Sequence, residues 1–282
     1  MAIVIQGKEL AKRKREELKN KISDSVSKGK RPPHLVSVMV GKDGGSLAYI
    51  KGQKKVSEEV GINYEVISFN EDISQDDLVC EIGKLRDDSM VDGIIIQLPL
   101  PDKYDESAVV EAIGTAKDVD GLTYMNLGLF YSGSDAFVPC TARAVLEILK
   151  SCDISLIGKK AVVLGRSNIV GKPVAALLIS ENLTVTVAHS KTQNAELLCR
   201  EADVLVSAMG RPESIDEKYI KPGAIVIDVG TTMVEGRLKG DINFEKVSKV
   251  ASYITPVPGG VGAMTTTMLM ENTYGAWIKN VQ

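Results

Sequence analysis

Apolar and polar positions follow two rhythms along this chain. Continuous short apolar runs recur at Leu35–Val40, Tyr64–Phe69 and Gly93–Leu98. They recur again at Ala161–Leu164, Thr184–Ala188, Val204–Ala208 and Ala224–Val229. Before and between the first three lie Glu9–Ser27, Ser46–Val60 and Ser74–Asp87, where apolar residues stand three and four apart. The first rhythm predicts strands and the second predicts amphipathic helices. Strands alternating with helices define βαβ units and a mostly parallel sheet. Runs such as Val91–Leu98 and Ala224–Val229 are apolar at nearly every position, as expected of strands covered by helices on both faces. The fold expected is α/β, in two domains, the second a Rossmann-type doubly wound parallel sheet. The turn-rich stretch Tyr131–Asp135 and Pro139-Cys140-Thr141 place the division near residue 140. Ala142–Lys150 reads as a bridging helix. The apolar helix Met264–Trp277 is expected to return to the first domain.

Composition sharpens this. A chain of 282 residues is long enough for about two domains. The 34 basic residues against 37 acidic ones leave a net charge of −3, with no surplus to neutralise phosphates, so nucleic acid is not an expected partner. No apolar run approaches a membrane span, so no membrane partner is expected, and the N-terminus lacks the pattern of a signal peptide. Four scattered cysteines and two histidines fit free thiols in the cytoplasm and argue against a metal site.

Candidate chemistry is concentrated in a few segments. Ala161–Pro173 runs strand, glycine turn, helix start, the arrangement that turns backbone N–H groups and a helix N-terminus toward a phosphate. Gly165 permits the turn and Gly171 lets the helix approach the sheet. The spacing is G-x5-G, so the generic dinucleotide fingerprint is only partly met. The next strand ends at Ala188 and runs into His189-Ser190-Lys191-Thr192, where an NAD site usually carries a carboxylate. A hydroxyl, a cation and Arg166 instead suit a 2′-phosphate, which favours NADP over NAD. The alternative is that Lys191 is solvated and Ser190 caps the next helix. His189 reads as a structural or cofactor-edge residue. Thr231 follows another strand end. Thr255–Gly262 is a Pro/Gly turn suited either to walling a nicotinamide or to forming a corner between domains.

On the other side, Tyr49 and Gln53 stand four apart on one predicted helix. Gln97 ends a buried strand, where a polar group needs a partner or a ligand. Lys117-Asp118-Val119-Asp120-Gly121 sets two carboxylates in a loop. Several strings together resemble one family: Val40-Gly41 with Ser46-x-x-Tyr49, Gln97–Pro101, Lys117–Gly121, Pro139–Thr141, Gly165–Pro173, His189-Ser190 and Thr255–Gly262. The chain resembles the FolD-type 5,10-methylenetetrahydrofolate dehydrogenase/5,10-methenyltetrahydrofolate cyclohydrolases of one-carbon metabolism. The resemblance implies a homodimer acting on tetrahydrofolate derivatives. It implies a folate-binding catalytic domain (residues 1–140 plus 264–282), an NADP-binding domain (141–263) and a cleft between them. By position, it makes Tyr49, Gln53, Gln97 and Asp120 the catalytic positions, with Tyr49, Gln97, Asp120, Pro256, Gly259 and Gly260 binding substrate. Gly165, Arg166, Ser167, Ser190 and Thr231 would bind NADP.

One departure matters. The family pattern is Tyr-x-x-x-Lys, its lysine credited with assisting the cyclohydrolase step, and here the position holds Gln53. Hydride loss from the methylene carbon needs no proton donor, whereas opening the ring after water attack does. The expectation is a retained dehydrogenase and a weak or absent cyclohydrolase. The alternative keeps both activities, with Lys54 or a water substituting. A dehydrogenase of 2-hydroxy acids would need a paired catalytic histidine that His34 and His189 do not offer. A nucleotide-binding module without catalysis is the non-enzymatic alternative.

Overall fold

The computed structural model describes residues 1–41 and 44–281, without the side chain of Ser46, so the serine of the Ser46-x-x-Tyr49 motif lies outside the described side chains. In chain order the elements are β1 (Ile3–Val4), α1 (Gly7–Ser27), β2 (His34–Val40), α2 (Gly44–Val60), β3 (Asn63–Phe69), α3 (Gln75–Asp87), β4 (Gly93–Ile96), α4 (Glu106–Glu111), α5 (Tyr124–Tyr131) and α6 (Cys140–Lys150). There follow β5 (Lys160–Leu164), α7 (Gly171–Ser180), β6 (Thr184–Ala188), α8 (Ala195–Arg200), β7 (Val204–Ser207), β8 (Ile225–Asp228), β9 (Thr232–Val234), β10 (Arg237–Lys239), α9 (Phe244–Val247), β11 (Tyr253–Ile254) and α10 (Val261–Asn280). All seven strand runs and all five helices read from the pattern are present, with ends shifted by a few residues. The chain divides into two units, one of Met1–Lys12 and Thr141–Thr265, the other of Arg13–Cys140 and the residues from Thr266 on.

The unit containing Arg13–Cys140 is built on a parallel sheet in the order β3-β2-β4. Central β2 is buried at six of its seven positions, which is why five of those six are apolar, Ser37 being the exception. Edge strand β3 is not fully buried at any position, and its exposed residues are Asn63, Glu65, Val66 and Ser68. Helix α2 buries Ile50, Gln53, Val56, Ser57 and Val60, one face at three- and four-residue spacing. Helix α3 starts at Ser74, whose hydroxyl accepts the Asp77 N–H, and seats Leu78 and Ile82 in a core with Val36, Val38, Ile94 and Ile96. The final helix α10 anchors here through Asn272, whose Nδ2 donates to Val119 O (2.9 Å) and Val138 O (3.2 Å).

The other unit is a six-stranded parallel sheet, β1-β11-β8-β7-β5-β6, with β9 and β10 forming a separate antiparallel ribbon. The order reverses between β5 and β7, the switch point at which ligands enter doubly wound sheets. The expected domain limits put residues 1–12 with the unit built on β3-β2-β4. Their pairing differs: Ile3 and Val4 lie in register with Tyr253 and Ile254, so the N-terminus is the edge strand of the six-stranded sheet. Two-residue strands such as β1 and β11 carry too little pattern to be read from sequence.

Candidate active site

At the switch point Gly165 follows β5 with φ +123, and a Cβ there would lie 2.4 Å from Ala208 O. A Cβ at Gly171 would lie 2.2 Å from Gly165 O, so both positions admit only glycine without displacement. Ser167 Oγ accepts the N–H groups of Val170 (3.2 Å) and Gly171 (3.3 Å), holding the start of α7. Beside this turn opens a pocket of about 410 Å³ lined by Gly165, Arg166, His189, Ser190, Thr192, Ala208 and Arg211, among others. No acidic residue lines it. The guanidinium groups of Arg166 and Arg211 make no ion pair among the described residues, leaving two cations and several hydroxyls, that of Ser190 among them, at its wall. That donor set fits a phosphate-bearing nucleotide. Arg211 escaped the sequence reading because it lies beyond the end of β7, outside any motif. Ser190 does not cap a helix: α8 begins at Ala195 after Asn194. His189 lines the pocket and its Nδ1 accepts the Lys191 N–H.

A smaller pocket of about 230 Å³ in the same unit gathers Thr231, Pro256, Gly259 and Gly260 with Lys8 and Asp228. The first turn of α1 closes on it, Lys8 N donating to Gly259 O at 3.1 Å. The Asp228 carboxylate is held by the N–H groups of Gly230, Asp241 and Ile242. Its neighbour Asp241 accepts from Ser207 Oγ, Met209 N and Arg211 N at 2.7–2.9 Å. Burial pushes Asp228 up to about 7, and the charge of Asp241 adds to this.

In the other unit the structure joins Gln53 to Gln97. Gln97 Nε2 donates to Gln53 Oε1 (3.1 Å) and to Ser37 Oγ (2.9 Å), and Tyr64 OH donates to Gln53 Oε1 (2.7 Å). Gln53 and Gln97 are buried, whereas Tyr49, one turn earlier on α2, is 53% exposed. Lys54 is exposed, so it does not occupy the place of Gln53. Asp118 is consumed structurally: its carboxylate accepts from Leu122 N, Thr123 N and Oγ1, and Asn126 Nδ2. Asp120 is left for other work. As a residue it is half-buried, but its carboxyl is enclosed, and burial first, the Asp118 charge second, push it up to about 6. Cys140 hydrogen-bonds it and moderates the rise. Among the described residues no group of His, Cys, Asp and Glu is placed to hold a metal ion, and no helix is long and apolar enough to cross a membrane.

The fold and the cationic pocket at its switch point define a nucleotide-binding α/β protein. Comparison with known proteins makes this specific. Residues 5–120 match the catalytic domain of tetrahydrofolate dehydrogenase/cyclohydrolase, and residues 139–281 match its NAD(P)-binding domain. The chain belongs to the tetrahydrofolate dehydrogenase/cyclohydrolase family. It is 51% identical over 272 residues to the bifunctional protein FolD of Clostridium tetani, covering 96% of this chain and 98% of that one. The structure of the bifunctional enzyme FolD from Campylobacter jejuni superposes with a TM-score of 0.96 at 42% identity, covering 99% of each chain. That of Trypanosoma brucei methylenetetrahydrofolate dehydrogenase-cyclohydrolase, complexed with NADP and an inhibitor, superposes with a TM-score of 0.95 at 38% identity, covering 100% of this chain and 99% of that one.

Proposed function

We propose that the protein oxidises 5,10-methylenetetrahydrofolate to the 5,10-methenyl cation with NADP, and opens that cation to 10-formyltetrahydrofolate only slowly. The observation that carries the first half is the acid-free pocket walled by Arg166, Ser190 and Arg211, in a chain of this family. Gly165, Ser167 and the start of α7 would hold the nucleotide's phosphates, and Arg166, Ser190 and Arg211 its 2′-phosphate, with Thr231 toward the nicotinamide end. NADP+ when bound supplies the hydride acceptor. Asp120 would accept hydrogen bonds from the pterin's amino and ring N–H groups, and Tyr49 and Gln97 would orient the ring. Pro256, Gly259 and Gly260 would bound the substrate from their own unit. The reading includes a cytoplasmic homodimer, on the resemblance alone.

Gln53 separates the two steps. A neutral amide does not oppose the positive charge that develops as hydride leaves. Ring opening after water attack needs proton transfer, and the absence of a titratable group at this position costs about 10²–10⁴-fold. The experiment is paired: NADP-dependent oxidation and methenyltetrahydrofolate hydrolysis on one preparation. Oxidation is expected at enzymatic rates and hydrolysis near the buffer rate, with Gln53→Lys raising hydrolysis at least about tenfold. Wild-type hydrolysis as fast as oxidation would sink this reading. It would favour a fully bifunctional enzyme, which the name of the 51%-identical Clostridium tetani relative favours.

Asp120 gives a pH dependence. Its raised pKa means that it takes up a proton near pH 6, higher than an ordinary carboxyl. Protonation removes an acceptor for the pterin, so binding weakens as pH falls. The KM for methylenetetrahydrofolate is expected to rise up to about tenfold per pH unit below 6 and to level off above 7. Asp120→Asn should bind weakly at every pH and lose this slope.

A further inference from the structure

One side chain of α10 grips the loop that carries Asp120. Asn272 is 5% exposed, and its Nδ2 donates to Val119 O at 2.9 Å and to Val138 O at 3.2 Å. Main-chain carbonyls can only accept, so these two bonds also fix which end of the amide faces the loop. Val119 O belongs to the peptide plane that leads into Asp120, and Val138 O to the plane that leads into Pro139 and Cys140. A single NH2 group therefore staples the two stretches together. They meet without slack: a Cβ at Gly121, whose φ is +72, would lie 2.4 Å from Phe137 O. After Asp120 the Gly121 N–H closes a turn on Asp118 O at 3.1 Å, and the Asp118 carboxylate is itself tied to Thr123 and Asn126. The main chain of Asp120 is thus held on both sides, by Asn272 before it and by this turn after it. A second donor to Val119 O is the Cys140 thiol at 3.4 Å, a weak one.

We infer that Asn272 is a positioning residue: its amide sets the peptide plane ahead of Asp120, and so the direction in which that carboxylate meets the pterin. The inference rests on the reading that gives Asp120 the pterin. An apolar side chain of similar size would fill the same space. It would leave Val119 O to the thiol and the plane free to rock, and a small misplacement of an orienting group is enough to cost binding. Asn272 stands 153 residues from Val119 along the chain, so the two meet only when α10 returns to this unit.

The test has two arms. In the first, Asn272→Leu lowers kcat/KM for methylenetetrahydrofolate oxidation about fivefold, the scale of one neutral hydrogen bond. The loss lies in KM for the folate, with kcat moving less than about twofold and KM for NADP+ unchanged. In an Asp120→Ala background Asn272→Leu causes no further fall in kcat/KM, because its effect passes through the carboxylate. Equal falls in both backgrounds overturn the inference. A fall of the same size in Thr273→Val, whose buried hydroxyl donates to Leu269 O of its own helix, makes the effect one of helix packing and overturns it too. If Asp120→Ala is itself harmless, the pterin reading of Asp120 fails, and the inference with it. An impaired Asp120→Ala beside a harmless Asn272→Leu overturns the inference alone. The second arm needs no variant. In uniformly ¹⁵N-labelled wild-type protein, tetrahydrofolate slows solvent exchange of the Asn272 side-chain amide protons at least about fivefold more than that of the β2 backbone amides, because the ligand binds only while the staple is closed. Equal slowing of both sets overturns the inference.

Discussion

Asp241→Ala is expected to destabilise the protein by about 3–5 kcal/mol, enough to remove much of the stability of a typical domain. Asp241 is fully buried, and its carboxylate is the acceptor for three donors: Ser207 Oγ, Met209 N and Arg211 N. Alanine leaves all three without a partner, and each orphaned donor costs about 1–3 kcal/mol before water or movement relieves it. Asp241→Asn keeps one oxygen but turns an NH2 group toward the Met209 N–H or the Arg211 N–H, so an intermediate loss is expected. Denaturant midpoints at unchanged m-value measure both. A midpoint for Asp241→Ala within error of wild type would refute the account. The pair also has a pH signature. Burial raises Asp228 to about 7, so its protonated form is favoured by folding, and its contribution to stability is present at low pH and lost as pH rises through 7. Removing the neighbouring charge at 241 should shift that loss to lower pH.

Gly171→Ala should weaken NADP binding about 10–100-fold, the equivalent of roughly 1–3 kcal/mol of overpacking. The added carbon would meet Gly165 O at 2.2 Å, its carbonyl carbon at 2.6 Å and Arg166 N at 2.9 Å, all main-chain atoms that cannot rotate aside. The turn and the start of α7 must separate, and the N–H groups proposed to receive the phosphates lose their common focus. Titration calorimetry with NADP+ reads the effect. Gly128→Ala, on a helix face with nothing within 4 Å, is the control and should bind as wild type. Equal affinities for Gly171→Ala and wild type would show that the turn does not serve the nucleotide.

The sequence made the two sheets legible because parallel strands buried on both faces are apolar at nearly every position, as in β2, β4 and β8. The Gly165–Gly171 turn was legible because close main-chain approach leaves no choice of residue. Other features leave no such trace. The cation Arg211 and the carboxylate Asp241 owe their roles to strand ends that meet only after β7 and β8 pair. Tyr64 reads as an ordinary strand aromatic, and its bond to Gln53 depends on how α2 lies against β3. Asp118 and Asp120, two residues apart, look equivalent in sequence. Only the fold shows one spent on α5 and the other enclosed with its proton held more tightly.

The pairing of Ile3 and Val4 with Tyr253 and Ile254 has a practical consequence. The nucleotide-binding half is not a continuous stretch of chain: its outermost strand is synthesised first, and the rest follows more than a hundred residues later. A fragment cut to begin near residue 141 lacks that strand and leaves the backbone of β11 open along one side, a template for pairing between copies. Anyone wishing to isolate this half must carry the first twelve residues with it, by a circular permutation or a short tether.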